Sequence, residues 1–219
     1  MRFQTKAVLI ALVLLVISFS VEAGTFEQIE IEFGPNYGFL DFDDPMEIWD
    51  PQWDWGYTGG VYLTIPLSSQ FSFVPGLRYS HLKNKVEIVN STIEGNFSME
   101  HNSITLPLLF RYDFLENMFF IDLGPEFAFL LSSKSHSDYH NPIDGYVNET
   151  EDISDNVKGY NIEDCVRVGF TAYRWNIPLA VNAAYHHGFT GMAEEGEWWS
   201  DWTTREFSFS LSYVYQFGK

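Results

Sequence analysis

The sequence predicts an all-β fold: an eight-stranded antiparallel up-and-down transmembrane β-barrel with short periplasmic turns and long extracellular loops. Apolar and polar residues alternate through eight separate segments, which is the periodicity of β-strands. The connections between these segments are alternately long and short, as they are in outer-membrane barrels. The chain is also 46% hydrophobic and 18% aromatic, yet beyond its first residues it has no apolar run of the length that a membrane-spanning helix needs.

Residues 1–23 have the pattern of a secretory signal peptide. Arg2 and Lys6 give a basic start, an apolar run continues to Phe19, and the small residue Ala23 suits the position before a cleavage site. Because the run is short for a membrane span, we expect this segment to be removed. Residues 24–219 are then expected to form a single outer-membrane β-barrel domain.

The clearest strand pattern is a hairpin over residues 104–131, in which a polar break at 115–117 separates two alternating runs. Each run has about the ten residues that a tilted membrane-crossing strand needs. The same alternation predicts the other strands. The eight strands are expected at 28–40, 56–66, 70–83, 104–114, 119–131, 159–173, 177–189 and 205–217.

The connections between these strands fall into two groups by length. The short ones, expected on the periplasmic side, are 67–69, 115–117 and 174–176; the long ones, expected on the extracellular side, are 41–55, 84–96, 132–158 and 190–204. This asymmetry favours an outer-membrane barrel.

Alternation alone does not decide whether the apolar face points outward. A soluble lipocalin-like barrel would turn it inward around a ligand. Aromatic residues such as Tyr37, Tyr112 and Phe217 lie near the ends of predicted strands, however, as in the aromatic girdles of membrane barrels. The opposite face carries small and charged residues, which suit a wet interior. We therefore expect the apolar face to contact lipid.

Two prolines, Pro107 and Pro125, fall in the middle of predicted strands. Proline has no N–H to donate to a neighbouring strand, and a closed barrel has no edge strand to accommodate it. We expect bulges or missing ladder bonds at both positions.

The inward face of the predicted barrel carries a candidate charge network. Its residues are Glu30, Glu32, Arg78, Arg111, Asp113, Asp122, Glu126 and Arg167. Charges in a narrow enclosure are normally paired, and eight strands leave an interior only about wide enough for side chains. We therefore expect a filled lumen; a proton or ion path along these charges is the alternative.

Two acidic connections are rich in tryptophan and form a candidate interaction surface. Its residues are Trp49, Trp53, Trp55, Trp198, Trp199 and Trp202. One interpretation is solvated acids beside tryptophans that anchor at the membrane surface, and the other is capture of a surface ligand such as a sugar. The acids lack the spacing of an EF-hand calcium loop.

The sequence predicts no enzyme, no metal site and no cofactor. Ser135, His136, Asp138 and His140 are residue types that serve acyl transfer, but they show no G-x-S-x-G elbow or other mechanistic spacing. His186 is followed by a second histidine, and adjacent residues of a strand point to opposite faces, so the pair cannot chelate one metal ion.

Charge and cysteine content limit the classes of partner. The formal net charge of −18 excludes nonspecific binding of nucleic acid. Cys165 is the only cysteine, so the chain has no internal disulfide, and we expect it on the lumen side or in a loop.

Three segments together carry a family resemblance. They are ITLPLLFRYDF at 104–114, DLGPEFAFLL at 122–131 and FVPGLRYSHLKNK at 73–85. These segments resemble the PorT-like outer-membrane β-barrel proteins of Bacteroidetes-type bacteria. The ending SFSLSYVYQF at 208–217 is similar to the alternating, Phe-terminated last strand that the barrel-assembly machinery reads. The resemblance implies an eight-stranded barrel and, for some members, a part in protein secretion and gliding, but it assigns no role to single residues.

Together these patterns indicate a bacterial outer-membrane protein that is not an enzyme and that serves surface interaction or membrane structure. The first alternative is a transport or protein-secretion accessory barrel, and the second is an outer-membrane acyl-transfer or hydrolytic enzyme. Expected partners are outer-membrane lipid, the barrel-assembly machinery during insertion, and a surface ligand or secretion complex.

Overall fold

The computed structural model describes residues 26–42, 49–89, 94–141, 145–190 and 202–217. The signal segment expected at residues 1–23 lies outside these ranges. The described residues form β1 (Gln28–Phe42), β2 (Trp49–Pro66), β3 (Phe71–Val89), β4 (Glu94–Phe114), β5 (Phe119–Asn141), β6 (Gly145–Asp152), β7 (Tyr160–Thr171), β8 (Leu179–Gly188), β9 (Trp202–Gln216) and a 3-10 turn (Tyr173–Trp175). Within these ranges, no helix is long and apolar enough to cross a membrane.

The strands pair in antiparallel ladders that form a closed ring. The pairing runs from β1 through β2, β3, β4 and β5 to β7, β8 and β9, and β9 pairs with β1 again. The remaining strand, β6, pairs with β5. The predicted all-β, up-and-down antiparallel architecture is confirmed, and its closure leaves no unpaired edge along the ring.

The three short connections lie at one end of the ring, which we call the turn end; the opposite end is the loop end. In the turn between β4 and β5, Leu115, Glu116 and Asn117 have φ angles of 50°, 58° and 61°. The Met118 N–H donates to the Leu115 carbonyl at 3.3 Å. Three consecutive left-handed residues reverse the chain tightly, at the position that the sequence predicts.

The prediction of one long loop over residues 132–158 is wrong. β5 continues to Asn141, and the chain returns along it as β6 from Gly145 to Asp152. Parts of the connections predicted at 41–55 and 84–96 are strand as well, since β2 begins at Trp49 and β3 and β4 leave only 90–93 between them. The outer part of β5 and the whole of β6 are polar on both faces, so no apolar period reveals them. The start of β2 does alternate, with Trp53 and Trp55 on either side of Asp54, but its high content of acids favoured a loop.

The apolar face of the ring points outward. Exposed side chains include Phe33, Val61, Leu77, Phe110, Leu123, Val166, Val168, Val181, Phe209 and Leu211. The residues between them along each strand are buried inside the ring. The predicted orientation, with the apolar face outside and the polar face inside, is therefore confirmed.

The missing ladder pairs predicted at the mid-strand prolines are confirmed. Between β4 and β5 the register contains Pro107 opposite Glu126 and next Phe110 opposite Leu123. Pro125 therefore lacks a partner on the β4 side, although it pairs with β7. The register of the β4–β5 ladder is unchanged across this gap, because its shift lies at Asn102/Ser103. Pro107 lacks its partner on the other side of β4, where the β3–β4 register passes from Pro75 opposite Leu108 to Arg78 opposite Thr105.

A glycine permits close approach of two strands at a further interruption, in the β1–β9 ladder between Phe33 opposite Leu211 and Asn36 opposite Ser208. Gly34 precedes Pro35, and an ideal Cβ on Gly34 would lie 1.8 Å from the Phe209 carbonyl oxygen. We expect Gly34→Ala to lower the free energy of unfolding by about 1–3 kcal/mol, because backbone rather than a flexible side chain must move. The check is urea unfolding of the protein in detergent micelles.

The matched control is Gly159→Ala. No atom lies within 4 Å of an ideal Cβ at Gly159, so this variant should stay within about 0.5 kcal/mol of the wild type. Equal stabilities of the two variants would contradict the close approach at Gly34.

Candidate functional site

The inward side chains of the ring form layers. From the turn end, β7 presents Arg167, Cys165 and Glu163 to the interior, and all three are buried. Arg167 belongs to a lower charge cluster and Glu163 to an upper one. Cys165 belongs to a hydrophobic layer together with Tyr62, Val74, Leu109 and Ala184. The interior is thus occupied by side chains at each of these levels.

The lower charge cluster joins β1, β4, β5 and β7. It consists of Glu30, Glu32, Arg111, Asp122 and Arg167. Arg111 binds Asp122 through Nε and Nη2 at 2.8 and 3.0 Å, and Arg167 binds the same carboxylate through Nε at 2.8 Å and Nη2 at 2.6 Å. The two arginines also reach Glu30, at 3.1 and 3.5 Å, and Arg167 reaches Glu32 at 3.1 Å.

Neutral donors complete the solvation of the two glutamates. Glu30 accepts hydrogen bonds from Asn182 and Ser212, each at 2.8 Å. Glu32 accepts from the Tyr62 hydroxyl at 2.9 Å and from Ser210 at 3.0 Å. Buried charges need such partners because they have lost their water.

Aromatic rings cover the guanidinium groups of the lower cluster. The Arg111 guanidinium carbon lies 3.7 Å from the Phe120 ring centroid, and that of Arg167 lies 4.2 Å from the Tyr62 centroid. Such stacking suits the planar, weakly hydrated guanidinium.

The upper charge cluster consists of Arg78, Glu126, Glu163, His186 and Glu206. Arg78 binds Glu206 at 2.8 Å, Glu126 at 3.0 Å and Glu163 at 3.5 Å. His186 Nδ1 lies 2.8 Å from Glu126 Oε2. One arginine here faces three carboxylates.

Cavities lie on either side of the charge clusters. The cavity at the turn end has a volume of about 330 Å³, and its lining includes Glu30, Arg111 and Asp113. A smaller cavity of about 40 Å³ toward the loop end is lined in part by Arg78 and Glu163. Neither lining includes Tyr62 or Arg167.

The structure brings seven of the eight predicted lumen residues into ion pairs and places one apart. Asp113 is half-buried beside the turn-end cavity and, within the described residues, forms no ion pair. Sequence reasoning missed Glu163, His186 and Glu206. Strand parity could have found them, since each lies an even number of residues from an inward residue of its own strand.

The tryptophans predicted in the first loop lie in β2 instead, so their loop placement is wrong. Trp53 stacks on Tyr37 and Phe39 with centroid distances of 5.2 and 5.0 Å, and its ring lies 5.5 Å from that of Phe207. Trp202 begins β9, while Trp198 and Trp199 lie outside the described residues. The described rings form an aromatic cluster on the outer face of the ring. Its residue types are those of the aromatic girdle at a membrane interface.

The candidate acyl-transfer residues belong to β5 rather than to a loop. Ser135 is buried inside, and His136, its neighbour on the strand, binds Thr150 of β6 at 2.9 Å. Adjacent strand residues point to opposite faces, so this serine and histidine do not form a nucleophile–base pair.

Beyond the part of the strands with an apolar exterior, half-exposed ion pairs link the outer ladders. Lys83 binds Glu100 at 2.9 Å. This hydrogen bond raises the pKa of the Lys83 ammonium and lowers the pKa of the Glu100 carboxyl. Exposed pairs of this kind contribute less than about 1 kcal/mol.

Comparison with solved structures finds several outer-membrane proteins. Ail, the attachment invasion locus protein of Yersinia pestis, is 9% identical with a TM-score of 0.44, and the match covers 87% of this chain and 100% of that chain. Neisserial surface protein A is 8% identical, with a TM-score of 0.43 and coverage of 84% and 96%. OprG from Pseudomonas aeruginosa is 8% identical, with a TM-score of 0.41 and coverage of 89% and 99%.

No curated protein matches the chain by sequence. The family model for the outer membrane protein beta-barrel domain, in contrast, matches residues 25–194. That range includes the first eight strands and both charge clusters apart from Glu206. The chain therefore belongs to the family of outer-membrane β-barrel proteins.

Proposed function

We propose that the protein is a non-enzymatic, eight-stranded transmembrane barrel whose own side chains close the lumen. The observation that carries this proposal is the lower charge cluster. Arg167 there connects Asp122 with Glu30 and Glu32 across the interior. An open pore would need these buried side chains to leave their partners, which costs several kcal/mol per ion.

The eight strands of the ring supply the membrane crossing, and β6 extends the wall on the extracellular side. The apolar exterior next to the turn end is the surface that contacts lipid, and outward rings such as Trp53 and Phe207 mark its extracellular border. The barrel-assembly machinery would insert the chain after removal of residues 1–23. The exterior acids and tryptophans would then face the cell surroundings, where they serve surface interaction or membrane structure.

A filled lumen has an electrical consequence. We expect the purified protein to show no large, stable single-channel conductance in a planar bilayer, because ion pairs and the hydrophobic layer block the interior. A control barrel of porin type must conduct under the same conditions. Steady openings that depend on the inserted protein would overturn the closed lumen and favour transport.

A transport or secretion-accessory role is the second candidate, and the turn-end cavity favours it. Glu27, Asp113 and Glu116 line this cavity of about 330 Å³, so it offers a periplasmic partner an acidic recess. Membership in the PorT-like subgroup would agree with this role. Affinity purification from the outer membrane distinguishes the two functions, because a secretion accessory should retain a stoichiometric partner.

Two further roles have direct tests. Calorimetry with Ca²⁺ and with glycans examines surface-ligand capture, and absence of heat in both titrations would remove it. Lipase and acyltransferase assays examine catalysis, which would be revived only by an activity that His140→Ala abolishes.

A further inference from the structure

A group of metal-ligand side chains lies buried on the inward face of β5, β7 and β8. Its members are Glu126, Cys165 and His186, and one potential ligand atom of each lies within 4.8 Å of the others. The fold brings them together because Cys165 and His186 are direct cross-strand partners. Cys165 is also opposite Gly124, two residues before Glu126 on the same face of β5.

One oxygen of Glu126 lacks a partner although the side chain is fully buried. Its Oε2 atom contacts Arg78 and His186 at 3.0 and 2.8 Å. Its Oε1 atom makes no hydrogen bond with any part of the chain that the structure describes. Burial of a carboxylate oxygen without a hydrogen-bond donor has an uncompensated desolvation cost. A ligand bound to this atom would remove that cost.

The charge of the surroundings favours a cation. In the upper charge cluster, Glu126, Glu163 and Glu206 surround the single guanidinium of Arg78. These three carboxylates outnumber the positive groups even when His186, which pairs with Glu126, is counted as charged. The lower cluster does not compensate, since its two arginines already face three carboxylates. A bound divalent cation would offset the excess of negative charge.

We propose that Glu126, Cys165 and His186 form a binding site for a borderline transition-metal ion, with Zn²⁺ as the expected occupant. Thiolate, imidazole and carboxylate are the ligand types of zinc, whereas Ca²⁺ and Mg²⁺ select oxygen alone. Ligand atoms of a tetrahedral zinc site lie about 3–4 Å apart, so small side-chain rotations would complete the site. Three protein ligands leave the fourth position to a water molecule.

Binding involves no redox step. The Cys165 thiol loses its proton to the solution as the sulfur–zinc bond forms. His186 would bind the metal through Nδ1 as a neutral imidazole, with any proton from Nδ1 released to the solution and the remaining N–H on Nε2, which lies 3.3 Å from Ser208 Oγ. The cavity of about 40 Å³ lined by Arg78, Glu163 and Glu206 gives the ion an approach from the loop end.

The test uses Co²⁺ as an optical probe on the folded, chelator-treated protein in detergent. The chain has one cysteine, so any thiolate-to-cobalt charge-transfer band reports Cys165. We expect such a band to saturate at one equivalent of Co²⁺ and to disappear when Zn²⁺ is added. Absence of the band in the folded wild type overturns the proposal, as does cobalt binding without it, which would mean adventitious binding to surface acids.

Three variants locate the site. Cys165→Ser should abolish the band, and His186→Asn should abolish or strongly weaken it. The matched control His187→Asn should retain it, because the His187 ring lies on the outer face, stacked on Tyr185 and edge-on to Phe189. Heat-modifiable gel migration verifies that each variant is folded. A folded His186→Asn variant with unchanged cobalt affinity overturns the assignment of His186 as a ligand. If Cys165→Ser does not fold, the presence or absence of the charge-transfer band in the wild type decides whether Cys165 binds the metal.

Discussion

Replacement of Arg167 by methionine is expected to lower the free energy of unfolding by about 3–5 kcal/mol, the cost of breaking a buried ion pair from one side. Arg167 is 2% exposed and contacts Asp122, Glu30 and Glu32. Its removal leaves these buried carboxylates with too little positive charge nearby. Urea unfolding in detergent micelles, followed by heat-modifiable migration, measures the loss.

Two comparisons show whether uncompensated charge is the cause. Arg205→Met removes a half-exposed arginine that pairs with Asp41, and it should cost less than about 1 kcal/mol. Adding Asp122→Asn to Arg167→Met should recover part of the lost stability, because it removes one of the stranded charges. If Arg167→Met were no less stable than Arg205→Met, the lower cluster would not be a buried network.

Arginine in place of Leu211 is expected to destabilise the membrane-inserted protein by about 2–4 kcal/mol, the range for a cation on the lipid face of a barrel near the bilayer midplane. Leu211 lies in β9 with 57% of its surface exposed, opposite Phe33 and Val181. Its side chain therefore points away from the lumen into the apolar band. Unfolding from lipid vesicles measures this cost.

Tyr146→Arg is the matched control for the outward face. Tyr146 is 65% exposed in β6, beyond the apolar band, so arginine there should cost less than about 0.5 kcal/mol. A soluble barrel would tolerate both arginines equally. Equal stability of the two variants in vesicles would therefore contradict lipid contact at Leu211.

The sequence was sufficient to predict the strand segments that have an apolar exterior and a polar interior. Lipid on one face and a polar interior on the other impose a period of two, which is why β9, with Phe209, Leu211 and Tyr213 alternating with serines, was predicted nearly to its ends. The outer half of β5 and the whole of β6 have no such contrast. Lys134 and Ser135, for example, continue the strand with polar side chains on both faces.

The alternation within each strand predicts which residues of the site face the lumen, but it does not predict which of them contact one another. Alternation with apolar residues predicts that Arg111, Asp122 and Arg167 face the lumen. Which of these charges meet depends on the stagger between strands, and alternation within one strand contains no information about stagger. The grouping of Cys165 with His186 and Glu126 depends on the register of three strands, so it became visible only in the structure.

The most direct test of the central claim is the location of the protein combined with its gel migration. Cells are fractionated, and the outer-membrane fraction is run on a denaturing gel with and without boiling. We expect the protein in the outer membrane, with the unboiled sample migrating differently from the boiled one because the closed barrel resists detergent. A water-soluble protein whose migration does not change on boiling would contradict the account.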